Sequence, residues 1–346
     1  MPVEPAATMT GTTSATTTMT TTMPSLSEGV QQAAKLLPTR FPNWQPPQFF
    51  LQFGSGFDLE TLFDAPASSL PMQELPGMPC QPTPDREHPV LQYGAICGIP
   101  VLAARGHRHL YEGLGLYPCL LPLCTARKLG AQRHLFIGSG LSLRQEIKAG
   151  TWTLLVDYIN GHSLSPLDGN HDLLESSFPD MTGTFSQEQN SELVNAMSEV
   201  GLSPRHSVFM ARPGSQFCSV AEAEVARSNG ADLIGHDLVM EIIMAHALGC
   251  KVSALVLAAA MAPDYRGKPL RRQDLLDNCR FCSRDINRGL RKAMPELIAD
   301  AAPPIRLPDA EADDILHQDF KRPTGRTTPN PLALKKPCPS PEPNET

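Results

Sequence analysis

The sequence predicts an α/β fold: one domain built on a central mixed β-sheet flanked by helices. Two observations lead there. From about residue 49 to 301, short apolar runs alternate with longer segments of helical periodicity, the pattern of strands feeding helices. The hydrophobic fraction is 41% of 346 residues, ample for a sizeable core. No internal repeat interrupts this alternation.

The runs at 49–53, 99–104, 134–137, 153–156, 208–211 and 252–257 are apolar on successive positions, as strands buried on both faces are. Helical spacing is predicted over 117–129, 191–200, 219–228, 239–248 and 270–294. In the third of these, Val220, Ala223, Ala226 and Arg227 sit around a face, and Gly230 stands where a C-terminal cap belongs. Ahead of the domain, Val30, Ala33, Ala34 and Leu37 repeat at helical spacing over 27–37, and Pro38 and Pro42 stop that helix. The ends differ in composition. Residues 1–25 form a Thr-rich, low-complexity head expected to be disordered. Residues 26–48 are read as helix and linker, 49–301 as the domain, and 302–346 as a flexible tail rich in the chain's 34 prolines.

Charge narrows the function classes. A net charge of -7 with 19% charged residues argues against a broad nucleic-acid or anionic-membrane surface, which needs clustered Lys and Arg. No run is long enough to span a membrane, and the head has no basic region of a secretory or transit signal. Nine cysteines, an odd and scattered set, fit reduced thiols rather than a disulfide scaffold. A cytoplasmic protein is expected.

Chemistry concentrates after the strands. Gly54-Ser55-Gly56 follows an apolar run and precedes 58–62, read as a helix start. Such a turn lets backbone N–H groups and a hydroxyl face an anion, although an ordinary strand-to-helix turn has the same composition. Arg105-Gly-His107-Arg108-His109-Leu-Tyr111-Glu112-Gly113 is less ordinary: cations and imidazoles crowd a strand's carboxyl end, where phosphate or a polar sugar is held in open α/β sheets. Gly138-Ser139-Gly140-Leu-Ser142-Leu143-Arg144-Gln145-Glu146-Ile147 follows another strand. Asp157-Tyr158-Ile159-Asn160 follows the next and leads to Phe178-Pro179-Asp180-Met181.

Set in order, these segments resemble the trimeric purine nucleoside phosphorylases and the related methylthioadenosine phosphorylases, over about residues 49–297. Gly54-Ser55-Gly56 is similar to their phosphate loop. His109, Tyr111, Glu112 and Gly113 match their Gly-Arg-x-His-x-Tyr-Glu-Gly segment. Residues 142–150 resemble a Leu-Arg-Glu-Glu-Ile-x-x-Gly stretch of the methylthioadenosine branch, and 157–160 and 178–181 match the purine nucleoside branch. Val220-Ala221-Glu222, Gly230-Ala231-Asp232 and Val239-Met240-Glu241 resemble later signatures. The resemblance implies cleavage of a purine nucleoside by inorganic phosphate to base and ribose 1-phosphate, with no cofactor. It implies a homotrimer sharing a loop near Phe178-Pro179, with a purine nucleoside or similar small molecule as ligand, and neither nucleic acid nor membrane as partner.

Carried over residue by residue, the phosphate-side positions are Ser55, His107, His109, Ser139 and Asp237. The sugar and base positions are Tyr111, Phe217, Cys218, His236 and Ala259. Several depart from the pattern. The family's phosphate-binding Arg is replaced by His107, and an imidazole does not reproduce a bidentate clamp. Arg105, two residues away, can share the face of His107, and Arg108 is its neighbour. The Ser that donates to phosphate falls on Asp237, an acceptor when ionised, and a Met beside the sugar falls on His236. The Glu that reads the purine edge falls on Cys218, and the branch's Asn falls near Ala259. Asp264 matches a carboxylate of the other branch. A loop Asn falls near Gly138, and the aromatic lent by a neighbouring subunit falls near Leu174. Lost or altered catalysis is therefore expected, with an active phosphorylase of remodelled pocket as the alternative.

Two other groupings were weighed. Cys279-x-x-Cys282 lies within a predicted helix, with no second pair at zinc spacing, and reads as helical thiols. His107, His109 and His236 with Asp237 are metal-ligating types, but spacing does not show convergence, and no metal site is assigned. An enzyme reusing the cleft with a metal or thiol is the third reading.

Overall fold

The computed structural model describes residues 24–83, 88–264 and 269–299. The predicted tail, and the head apart from its last two residues, lie outside them. Among the described residues nine strands form one sheet: β1 (Phe49–Phe53), β2 (Ser68–Pro71), β3 (Val90–Ile96), β4 (Ile99–Arg105), β5 (Arg133–Ser142), β6 (Trp152–Asn160), β7 (Arg205–Ala211), β8 (Leu233–Gly235) and β9 (Lys251–Met261). Six α-helices accompany them: α1 (Leu26–Arg40), α2 (Tyr117–Lys128), α3 (Gln187–Glu199), α4 (Val220–Ser228), α5 (Val239–Ala247) and α6 (Arg272–Ala299).

Strand order is β2-β3-β4-β1-β5-β8-β7-β6-β9, and β9 also pairs with β5. That extra pairing closes β5, β8, β7, β6 and β9 into a ring, while β2, β3, β4 and β1 extend from β5 as an open wing. β1 lies parallel to both β4 and β5, so three carboxyl ends emerge on one side. The mixed α/β expectation holds.

Period-2 alternation sets the two faces. Phe50 packs with Leu26, Val30, Ala33 and Leu37 of α1, and with apolar residues of α2 and α5. Phe49, Leu51 and Phe53 face the other way, toward Leu193 and Met197 of α3, Ala223 and Ala226 of α4, and Ile286 and Leu290 of α6. Helix α1 starts at a capping box, with Ser25 Oγ accepting from Glu28 N and Glu28 accepting from Ser25 N. It runs through the expected stop at Pro38 to Arg40, because the last turn still closes by Phe41 N donating to the Leu37 carbonyl at 3.3 Å.

Two expectations change. Strands β2, β3 and β8 lack an apolar run: β3 interleaves Gln92 and Gly94 with apolar residues, and β8 is three residues long. The helix read at 58–62 is a chain of turns. Its backbone groups find partners on α6 instead: Asp58 N donates to Ser283 Oγ at 2.9 Å, and Asn287 Nδ2 donates to the Asp58 carbonyl at 2.8 Å. Once side chains satisfy these groups, a helical ladder is not required.

His134 on β5 is fully buried. Its ring lies 5.2 Å from that of Phe50 and 6.3 Å from that of Phe136. Burial pulls its pKa down to about 3 from an ordinary 6.5. The folded state therefore holds it neutral where the unfolded chain takes up a proton, so stability falls as pH drops below about 6.5. Urea unfolding at about pH 7.5 and about pH 5 should show His134 costing on the order of 1–2 kcal/mol at the lower pH. His134→Leu should flatten that pH dependence, and an unchanged slope in the variant contradicts the assignment.

Candidate functional site

The site begins where β1 and β4 end together, with Phe53 opposite Arg105. Beyond them Gly54 N donates to the Ile137 carbonyl at 2.8 Å, and Gly106 N donates to the Phe53 carbonyl at 3.1 Å. Gly106, at φ 67, takes the left-handed conformation that glycine adopts freely, and the chain turns to present His107, Arg108 and His109. A single 3-10 turn, Leu110–Glu112, follows. The His107 and His109 rings lie 4.2 Å apart, and His109 stacks on Tyr111 at 4.6 Å with planes 20° apart. Tyr111 meets His236 edge-on at 6.1 Å.

The facing wall comes from the end of β8. Gly235 leads into His236 and Asp237, and Leu238 stands at φ 72, ψ -45. Val239 N donates to the Asp237 carbonyl at 2.9 Å, a tight three-residue turn that is rare and strained for a residue with a Cβ. Leu238 is fully buried, and a Cβ at Gly138 would stand 2.6 Å from its Cδ1. Packing therefore holds the strained turn, and the turn aims Asp237 at the glycine loop. A Cβ at Gly54 would lie 3.7 Å from Asp237 Oδ2.

Between these walls lies a cavity of about 580 Å³, its open mouth included. Of the sequence-derived positions, Ser55, His109, Tyr111, Ser139, Phe217, Cys218, His236 and Asp237 line it. His107 sits behind that surface, 2% exposed, with Nε2 3.8 Å from Asp237 Oδ2 and 3.9 Å from Glu241 Oε1. Ala259 is not brought to the wall: it is fully buried in β9, and its carbonyl accepts from Asn278 Nδ2 at 2.8 Å.

Neither neighbouring arginine replaces the clamp. Arg105 is exposed and lines a separate hollow with Asp58 and Glu60. Arg108 is buried against Glu112 at 2.9 Å and donates to the Pro79 and Gln81 carbonyls, so its charge is used to tie down the preceding loop. The cations in the cavity wall are Arg212 and Arg272. Arg212 donates to Glu222 Oε1 and to the Gln216 carbonyl. Its position at a strand's carboxyl end was a readable signal. Arg272 opens α6 and reaches the site only through the fold, with no local signal.

Burial dominates the electrostatics. It pulls the His107 imidazole well below its usual range, helped by the nearby charges of His109 and Arg272. It also lowers His236. It raises the Asp237 carboxyl and, with Asp237 as a like charge, lifts Glu241 to about 8. The Cys218 thiol is raised by burial and Cys279 is pushed up to about 11, which leaves both as poor nucleophiles. The Cys279-x-x-Cys282 pair thus fits packed helical thiols.

Comparison with known proteins agrees with this architecture. The family profile described as Phosphorylase superfamily matches residues 88–293. Purine nucleoside phosphorylase of Mycobacterium tuberculosis is 31% identical over 212 residues, 61% of this chain and 75% of that protein. Purine nucleoside phosphorylase 1 of Geobacillus stearothermophilus is 26% identical over 260 residues, 75% of this chain and 94% of the relative. The fold is shared with the crystal structure of Schistosoma mansoni purine nucleoside phosphorylase in complex with adenosine, at TM-score 0.70 and 21% identity, covering 79% of this chain and 98% of that one. A part-closed mixed sheet with a polar cavity beyond its strand ends defines the class. Within it, the chain belongs to the purine nucleoside phosphorylase family.

Gly235 gives a direct test of the wall. A Cβ there would stand 2.5 Å from Cζ of the fully buried Phe209 ring. Gly235→Ala should cost about 1–3 kcal/mol through overpacking. A lower thermal midpoint checks this, and an unchanged one contradicts the packing described.

Proposed function

We propose that this chain binds a purine nucleoside or free purine in the cavity, and that its phosphorolysis is lost or strongly reduced. One observation carries the reading. Asp237 points a carboxylate at the Gly54-Ser55-Gly56 loop, where the family reaction needs donors for phosphate. Two like charges about 4 Å apart repel by about 4 kcal/mol at an effective dielectric near 20. His107 offers no standing positive charge, because burial holds it neutral. The base end keeps Phe217 as a stacking surface, but Cys218 supplies a weak donor in place of a carboxylate. Tyr111 remains to hold a sugar, and Ser55 and His109 remain at two of the phosphate-side positions.

The proposal extends to assembly and place. Phe178 is 93% exposed in the segment that matches the family's shared loop, which favours a homo-oligomer, in line with the family a trimer. Among the described residues no helix is long and apolar enough to cross a membrane, and free thiols favour a reducing, cytoplasmic setting. No cofactor is required. The head, linker, domain and tail division at 25, 48 and 301 is proposed with it.

A second reading has its own observation. Arg212 and Arg272 line the cavity, and either can hold phosphate if a ligand draws it from its present partners. That would restore catalysis with a remodelled anion site.

The deciding measurement is release of free base from inosine, guanosine, adenosine and methylthioadenosine, with and without phosphate. No phosphate-dependent turnover is expected, together with a raised thermal midpoint in the presence of purine nucleosides. Turnover at an ordinary phosphorylase rate would overturn the reading in favour of the second. Asp237→Ser should strengthen phosphate binding by about tenfold or more as the repulsion is removed. Thermal shifts against phosphate concentration check that expectation.

A further inference from the structure

Beneath the cavity floor lies a concentration of polar atoms that ordinary packing does not explain. Both ring nitrogens of His107 and Oδ1 of Asp237 are buried without a hydrogen-bond partner. A buried polar group left unsatisfied is destabilising, so three such atoms together call for a common occupant. His107, His109 and Asp237 each offer one ligand atom, and these atoms all lie within 4.8 Å of one another.

We propose that His107, His109 and Asp237 form a site for a divalent transition-metal ion, with Zn²⁺ as the fitting occupant. The site bears on the proposed function only when the ion is bound, because the metal-free chain keeps the repelling Asp237 carboxylate described above. Imidazole with carboxylate is a donor set that Zn²⁺ favours. In a tetrahedral site with bonds near 2.0–2.2 Å, ligand atoms stand about 3.3 Å apart. His107 Nε2 and Asp237 Oδ2 are already 3.8 Å apart, so side-chain movements of roughly an ångström complete the geometry.

The surroundings suit the ion. Glu112 Oε1 faces His109 Nδ1 at 3.5 Å, the carboxylate–imidazole relation that orients a ligating histidine and leaves its other nitrogen for the metal. Arg108 holds Glu112 in turn. Glu241 Oε1, 3.9 Å from His107 Nε2, places a second carboxyl beside the site. Arg272 is an opposing charge beside His107 and Asp237. Since His109 and Asp237 both line the cavity, the fourth position opens toward the ligand. The ion there turns an anion-repelling wall into an electrophilic one.

The test uses the full chain, stripped by a chelator and dialysed under a non-chelating reductant, then titrated with ZnCl₂ by calorimetry and with Co²⁺ by visible absorption. About one ion per chain is expected, with Co²⁺ giving the intense bands of low-coordinate nitrogen and oxygen ligation. His107→Leu and Asp237→Asn should each weaken Zn²⁺ binding by about tenfold or more. Binding undiminished in the double variant, or stoichiometry far below one for the wild type, overturns the proposal. If the variants fail to fold by circular dichroism, the wild-type Co²⁺ spectrum decides. A six-coordinate spectrum, or a thiolate charge-transfer band, overturns the site.

Discussion

Strand β5 is the constraint on which the molecule depends. It pairs with β1, β8 and β9, so one segment belongs both to the open wing and to the closed ring. Its register against β9 shifts between Gly140 and Leu141, and its last two residues pair with β8 as well as with β9. The side chains along it are correspondingly restricted. A Cβ at Gly138 would meet Leu238, and one at Gly140 would lie 3.0 Å from the Phe209 ring. Small residues let the ring close, and ring closure brings the end of β8 over the loops that follow β1 and β4. The cavity exists because two parts of one sheet meet across this strand.

The functional pole is the least comfortable part of the fold. Leu238 keeps a backbone conformation that costs of order 1–3 kcal/mol, and the cluster beneath it leaves imidazole and carboxylate atoms unsatisfied. The Ser219–Glu222 capping box, where Glu222 also receives Arg212, shows polar groups satisfied locally, although His134 Nδ1, Gln189 Oε1 and Ser207 Oγ are also buried without a partner. A protein spends stability in this way where a ligand is to be received. The substituted pocket is therefore better described as re-equipped than as merely eroded.

Much of this was legible in the chain. Phe49–Phe53 is apolar at every position because both faces of the strand are covered, and its bounds could be read directly. Tyr117–Lys128 and Val239–Ala247 announced themselves for the same reason. The loops after β1, β4 and β8 carried the resemblance, and eight of the ten assigned positions line the cavity. Signals failed where the fold, not the local chain, decides. β8 is too short to show a period, 58–62 is held by α6, and Arg272 is brought in from a distant helix. Strand alternation placed Arg105 beside His107, but Gly106 breaks that alternation by turning the chain, so Arg105 faces solvent.

Ring closure also has a temporal side. The parallel pairing of β5 with β9 joins Arg133 to Lys251, so β5 has no partner on that edge until the C-terminal third of the chain has been synthesised. The wing, from β1 to β5, needs only contacts nearer in sequence and can assemble while the ribosome is still at work. Long-range strand pairing is intrinsically slow and leaves apolar edges open while it waits. In this chain the waiting edge is β5 itself, so the interval before β9 emerges is when the nascent protein most needs a chaperone.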